Sequence, residues 1–136
     1  MVDRLSPERR SYLMSRVRGK DTTPELRVRR LAHGMGFRFR LHRRDLPGKP
    51  DLVFPRLGKI IFVHGCFWHR HEGCRLATRS KTRTEFWDAK FERNVERDRR
   101  VQAELRNLGW DVLVVWECET RDPVKLQKVL GEFLSS

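Results

Sequence analysis

Apolar positions along this chain follow two rhythms, one of period two and one near 3.6, and turn or cap residues close most of the runs. Ser6-Pro7 pairs an N-cap with a proline at the first helical position and predicts a short helix through about Val17. After a basic-polar break over Gly19–Thr22, Thr23-Pro24-Glu25 repeats the start signal, and Leu26, Arg30 and Leu31 carry a second helix to glycines 34 and 36. In FRFRLH (37–42), Phe37, Phe39 and Leu41 alternate with Arg38, Arg40 and His42, which predicts a strand with one core face and one basic face. LPGKP (46–50) turns the chain, Asp51–Phe54 is a second strand, and Pro55–Gly58 turns it again. Ile60–Val63 is continuously apolar, as in a strand covered on both sides.

Thr82 and Glu85 form a capping-box pair, and a helix is expected from there to about Leu108, with Val101, Leu105 and Leu108 on one stripe and Gly109 as its stop. WDVLVVW (110–116) predicts another buried strand, and residues 123–134 a last amphipathic helix. A helix of crossover length between two buried strands implies that they pair in parallel. The expected fold is α/β, a small mixed central sheet flanked by helices, in one domain spanning 1–136.

Composition adds function to this outline. Hydrophobic residues make up 38%, with 8 Phe and 4 Trp, enough for a core. No apolar run is long enough to span a bilayer and MVDRLSPERR has no signal-peptide core, so a soluble, cytoplasmic protein without membrane contact is expected. Thirty Lys and Arg against eighteen Asp and Glu give +12, which points to a polyanion such as nucleic acid. Three cysteines, an odd number, argue against a disulfide framework.

Candidate chemistry concentrates around HGCFWHRHEGC (64–74). Asp51 opens one strand and His64 ends the next, so a carboxylate and an imidazole approach one region of the sheet. One carboxylate with water and substrate phosphates suffices for Mg²⁺, and His64 or His69 could serve as general base or acid in phosphodiester hydrolysis. Cys66, His71, Cys74 and Cys118 form a soft donor set suited to a structural Zn²⁺. Phe67 and Trp68 lie between the two sets and could wedge between base steps; Trp87 could join them or sit in the core, since Phe91 and Val95 continue its helical stripe.

The pieces LPGKPDLVF, IIFVHGCFWHRH, TRTEFW, NVERDRR and LGWDVLVVWEC, in this order, closely resemble the very-short-patch-repair (Vsr-type) DNA mismatch endonucleases. The resemblance implies a restriction-endonuclease-like fold with structural zinc. It also implies a strand nick 5′ to the thymine of a T:G mismatch left by deamination of 5-methylcytosine. Asp51 would hold Mg²⁺ with the backbone carbonyl of Val63, a role that tolerates Val where relatives often have Thr. His69 would activate the attacking water, oriented by Glu25, and His64 would assist at the phosphate. Cys66, His71, Cys74 and Cys118 would hold zinc. Phe67, Trp68 and Trp87 would intercalate from one groove while the N-terminal helix and basic segment (1–22) reach the other. Phe62-Val63-His64 stands where the superfamily carries an acidic-x-Lys strand, so a lysine mechanism is not expected.

The expected partner is double-stranded DNA with a T:G mismatch, with a mismatch-repair protein as a further candidate partner. A single nick needs one active site, so a monomer is expected. Two alternatives are a restriction-type nuclease on the same scaffold and a zinc-stabilised DNA-binding module without catalysis.

Overall fold

The computed structural model describes residues 22–66, 71 and 84–136, with residues 84–87 in backbone only. The helix expected over 6–17 and the Thr82–Glu85 capping box lie outside what is described. Helix α1 (Thr23–Gly34) starts where Thr22 accepts a hydrogen bond from the Glu25 N–H at 3.4 Å, with Pro24 in its first turn. Strands β1 (Arg40–Leu41), β2 (Leu52–Phe54) and β3 (Lys59–His64) follow, then α2 (Thr84–Asn107), β4 (Asp111–Trp116), a short 3-10 turn (Glu117–Arg121) and α3 (Pro123–Leu134). The strands form one mixed sheet in the order β1-β2-β3-β4: β1 and β2, and β2 and β3, run antiparallel, while β3 and β4 are parallel, as the crossover length implies.

The pleat divides the core. Leu52, Phe54, Ile61 and Val115 meet Val28 and Ala32 of α1 and Leu126, Leu130 and Leu134 of α3. The alternate positions Val53, Ile60 and Phe62 meet Val101 and Leu105 of α2. The sheet is thus covered by α1 and α3 on one face and by α2 on the other, which is why Ile60–Val63 reads as an unbroken apolar run. Lys59, buried at the start of β3, donates to the Phe133 carbonyl and, at 2.9 Å, to the Ser136 carbonyl, tying the sheet to the end of α3. Among the described residues no helix is long and apolar enough to cross a membrane.

Three expectations change. The strand expected over 37–42 pairs only at Arg40–Leu41. Phe37 and Phe39 do pack on the core, but Leu41 is 41% exposed, and His42 turns to φ +48°, out of strand geometry. Leu108 leaves the α2 stripe: the helix ends at Asn107 and Leu108 is 63% exposed. Strand β4 is the edge of the described sheet, so only Val115 is fully buried and the rest is half-covered or exposed.

The LPGKP turn lies flush on α2. Gly48 has φ +74°, and a Cβ there would overlap the branched Val101 side chain, whereas Gly58, at φ +68°, has open space around it. Gly48→Ala is expected to cost ~1–3 kcal/mol, from backbone strain plus overpacking, and Gly58→Ala only about 1 kcal/mol. Urea midpoints of the two variants test the difference; equal losses would mean that the turn does not press on α2.

Candidate active site and cysteine–histidine centre

Asp51 lies one residue before β2, and its Oδ2 accepts a hydrogen bond from the Val63 N–H at 2.7 Å. This bond runs from the head of β2 to the far end of β3. Glu25, third in α1, is 2% exposed, and its side chain turns inward to the same place. Arg29, one turn along, and His42 Nε2, at 2.8 Å, both contact Glu25 Oε2. The His42 N–H donates to the Asp51 carbonyl at 3.2 Å. Ligand atoms of Glu25, His42 and Asp51 all lie within 4.8 Å of one another.

Loss of solvation pushes the Asp51 carboxyl up to about 7, and the neighbouring Glu25 adds to the rise through its charge and a hydrogen bond; the Val63 N–H and the Arg29 guanidinium oppose it. Two carboxyl groups this close do not both ionise readily without a cation between them, so the pair is chemically prepared for a divalent ion with oxygen ligands.

His64 continues the pleat of Ile60 and Phe62 towards α2, where its Nδ1 lies 3.9 Å from Asp98 Oδ2. Its ring meets Trp116 edge-on, centroids 5.3 Å apart. Glu25, Asp51, Val63 and His64 line one cleft of about 600 Å³, and exposed Arg44, Lys49 and Arg97 lie at the same cleft. The structure therefore brings together three of the four expected catalytic residues; the fourth, His69, lies outside the described residues.

Sequence reasoning missed Asp98, Arg29 and His42. Asp98 had a legible signal: Phe91, Asn94, Asp98, Val101 and Leu105 repeat at helical spacing, and Asn94 is buried with the apolar members. A polar pair on an apolar stripe marks a site. His42 had none, because it merely continues the basic alternation of Arg38 and Arg40.

The register His64↔Trp116 in the parallel pair puts Cys66 and Cys118, two residues beyond each, at one end of the sheet. His71 Nδ1 is 3.6 Å from Cys66 Sγ and 3.4 Å from Cys118 Sγ, and the Cys118 N–H donates to Cys66 Sγ at 3.4 Å. Donors around a tetrahedral ion with bonds of ~2.0–2.3 Å stand roughly 3.3–3.8 Å apart, so these three fit three corners of a zinc site. The expected fourth ligand, Cys74, lies outside the described residues, as do Phe67 and Trp68 and the side chain of Trp87. The His71 ring stacks on the Trp116 indole, centroids 4.2 Å apart and 8° from parallel.

Two carboxyl groups and an imidazole in a cleft that also carries Arg44, Lys49 and Arg97, on an α/β sheet, are equipment for hydrolysing a phosphodiester. The family model described as DNA mismatch endonuclease Vsr matches residues 2–75. The chain belongs to the Vsr family and is a DNA endonuclease. It is 54% identical over 134 residues to the type II nicking enzyme V.XorIIP of Xanthomonas oryzae pv. oryzae, covering 98% of each chain. It is 46% identical over 126 residues to the DNA mismatch endonuclease Vsr of Escherichia coli K12, covering 93% of this chain and 80% of that one. The type II nicking enzyme V.NmeAIP of Neisseria meningitidis is 38% identical over 122 residues, with 90% and 86% covered.

The raised Asp51 carboxyl sets a pH dependence of stability. The folded chain keeps this proton up to about 7, whereas the unfolded chain releases it near ~3.9. The folded state therefore binds more protons between these values, and Asp51 lowers stability as pH rises through that window. In metal-free protein, Asp51→Asn is expected to be more stable than wild type at high pH, by on the order of 1–3 kcal/mol, with the gap closing on acidification below ~4. Thermal melts across that range check this; a gap independent of pH would contradict it.

Proposed function

We propose that this endonuclease nicks one strand of duplex DNA on the 5′ side of the thymine in a T:G mismatch, with Mg²⁺ at Asp51, and so begins very short patch repair. The observation that carries the proposal is the convergence of Glu25, Asp51 and His64 on one cleft. The relatives' names support it further, one being a mismatch endonuclease and two being nicking enzymes.

In this reading Asp51 and the Val63 carbonyl hold the ion, which when bound supplies Lewis acidity at the scissile phosphate. His69 takes the proton from the attacking water, and Glu25 orients it. His64, held by Asp98, supports the phosphate as its P–O bond breaks. Phe67, Trp68 and Trp87 wedge beside the mismatch, while residues 1–22 contact the opposite groove. Cys66, His71, Cys74 and Cys118 bind a structural zinc that fixes the loop carrying Phe67–His69. One chain suffices for one nick, so the enzyme acts as a monomer, and its fold is restriction-endonuclease-like.

Nicking with Mg²⁺ on matched duplexes tests this: T:G, other mismatches, fully paired, and fully paired with 5-methylcytosine. A single nick confined to the T:G duplex and absent with Asp51→Ala is expected. Cleavage of both strands of a paired duplex would instead mean a restriction-type enzyme, and tight binding without any cut would mean a DNA-binding module.

Elemental analysis tests the second metal. The purified chain is expected to carry about one zinc, bound by thiolate and imidazole. Cys118→Ser should lose it and melt at lower temperature. Unchanged zinc content in that variant would remove Cys118 from the ligand set.

A further inference from the structure

The clamp on Glu25 is more elaborate than a helix start requires. A glutamate at the third helical position ordinarily reaches back to cap the first turn. Here Glu25 instead turns inward, buried, and two donors from different elements close on the same oxygen. Arg29 comes from one turn further along α1, and His42 from the residue just after β1.

The three-way geometry fixes the role of each group. Arg29 Nη2 and His42 Nε2 are 3.4 Å apart, and both face Oε2 of Glu25. An ionised carboxylate only accepts, so the imidazole nitrogen 2.8 Å from Oε2 is the one that carries the hydrogen donated there. Both donors thus converge on Oε2.

His42 reaches Glu25 from a backbone conformation that side chains seldom adopt, φ +48°. Its own N–H is tied to the Asp51 carbonyl. A rare conformation, anchored to the backbone of one acidic residue and aimed at the side chain of another, links the two carboxyl groups of the cleft into one unit.

We propose that Arg29 and His42 are positioning residues, which grip Glu25 by Oε2 and hold its carboxyl group at the reaction centre beside Asp51. This rests on the assignment of Glu25 and Asp51 to hydrolysis made above. Without the grip, two adjacent carboxylates repel, and Glu25 swings away from Asp51 or competes for its cation. The guanidinium supplies the opposite charge and the imidazole fixes the rotamer.

The test is single-turnover nicking by the full-length protein, on whichever duplex the wild-type enzyme nicks, so that the mismatch assignment does not decide it. His42→Asn keeps a residue that tolerates positive φ but shortens the reach, His42→Gln restores a long donor, and Arg29→Lys keeps charge without the planar fork. His42→Asn and Arg29→Lys are expected to lower the maximal rate about tenfold or more, with half-saturating enzyme concentration moving less than about twofold. His42→Gln should recover to within about threefold of wild type, and in a Glu25→Gln background neither substitution should change the rate by more than about twofold.

Wild-type rates for His42→Asn and Arg29→Lys, with Glu25→Gln slow, would overturn the clamp and leave the active-site assignment standing. Effects that persist in full in the Glu25→Gln background would overturn it too, as the mark of a merely structural role. A Glu25→Gln enzyme as fast as wild type would overturn both the clamp and the catalytic assignment of Glu25.

Discussion

The hydrogen bond from the Val63 N–H to Asp51 Oδ2 joins the sheet to its chemistry. An amide at the far end of β3 is satisfied by a side chain from the head of β2, so the carboxylate stays where the sheet ends. Around it the fold withdraws water. Core residues of α1 cover one face of the sheet, those of α2 the other, and the LPGKP turn closes over α2 through Gly48. Withdrawal of water makes Asp51 reluctant to ionise, and Glu25 adds to that reluctance. Two carboxyl groups that resist ionising together are suited to sharing a cation, and the architecture sets them side by side.

The same end of the sheet carries a second centre of different chemistry. Parallel pairing of His64 with Trp116 sets Cys66 and Cys118 side by side two residues further on. Trp116 touches both centres, edge-on to His64 and stacked on His71. One indole thus lies between the His64 imidazole of the cleft and the imidazole of the cysteine–histidine cluster. Cys66 and His71 both meet in this cluster with Cys118.

Much of this was legible in the sequence, for reasons that can be named. Thr23-Pro24-Glu25 marked the start of α1, which the structure caps one residue earlier at Thr22, and the amphipathic stretch 123–134 marked α3. Continuous apolar residues at Ile60–Val63 announced the strand covered on both faces, and the crossover length announced its parallel neighbour. Cys66, His71 and Cys118 were recognisable by donor chemistry, and the structure brings them within ligand distance of one another. Glu25 was named from resemblance alone, since a helix-starting glutamate has an ordinary explanation. What stayed hidden depends on relations the alternation of side chains does not encode. Leu41 and most of β4 are uncovered because of what lies beside them, and an edge cannot be read from the strand itself. His42 points at Glu25 because of one backbone angle, and Asp98 meets His64 across two elements.

Calorimetric titration of Mg²⁺ into the protein bound to a nicked product duplex would probe the oxygen-donor centre without turnover. Wild type and Cys118→Ser should both show a saturable cation site, and Asp51→Asn should lack it. An isotherm for Asp51→Asn that matches wild type would mean that the ion binds elsewhere, and that the Glu25–Asp51 carboxyl pair is not the hydrolytic centre.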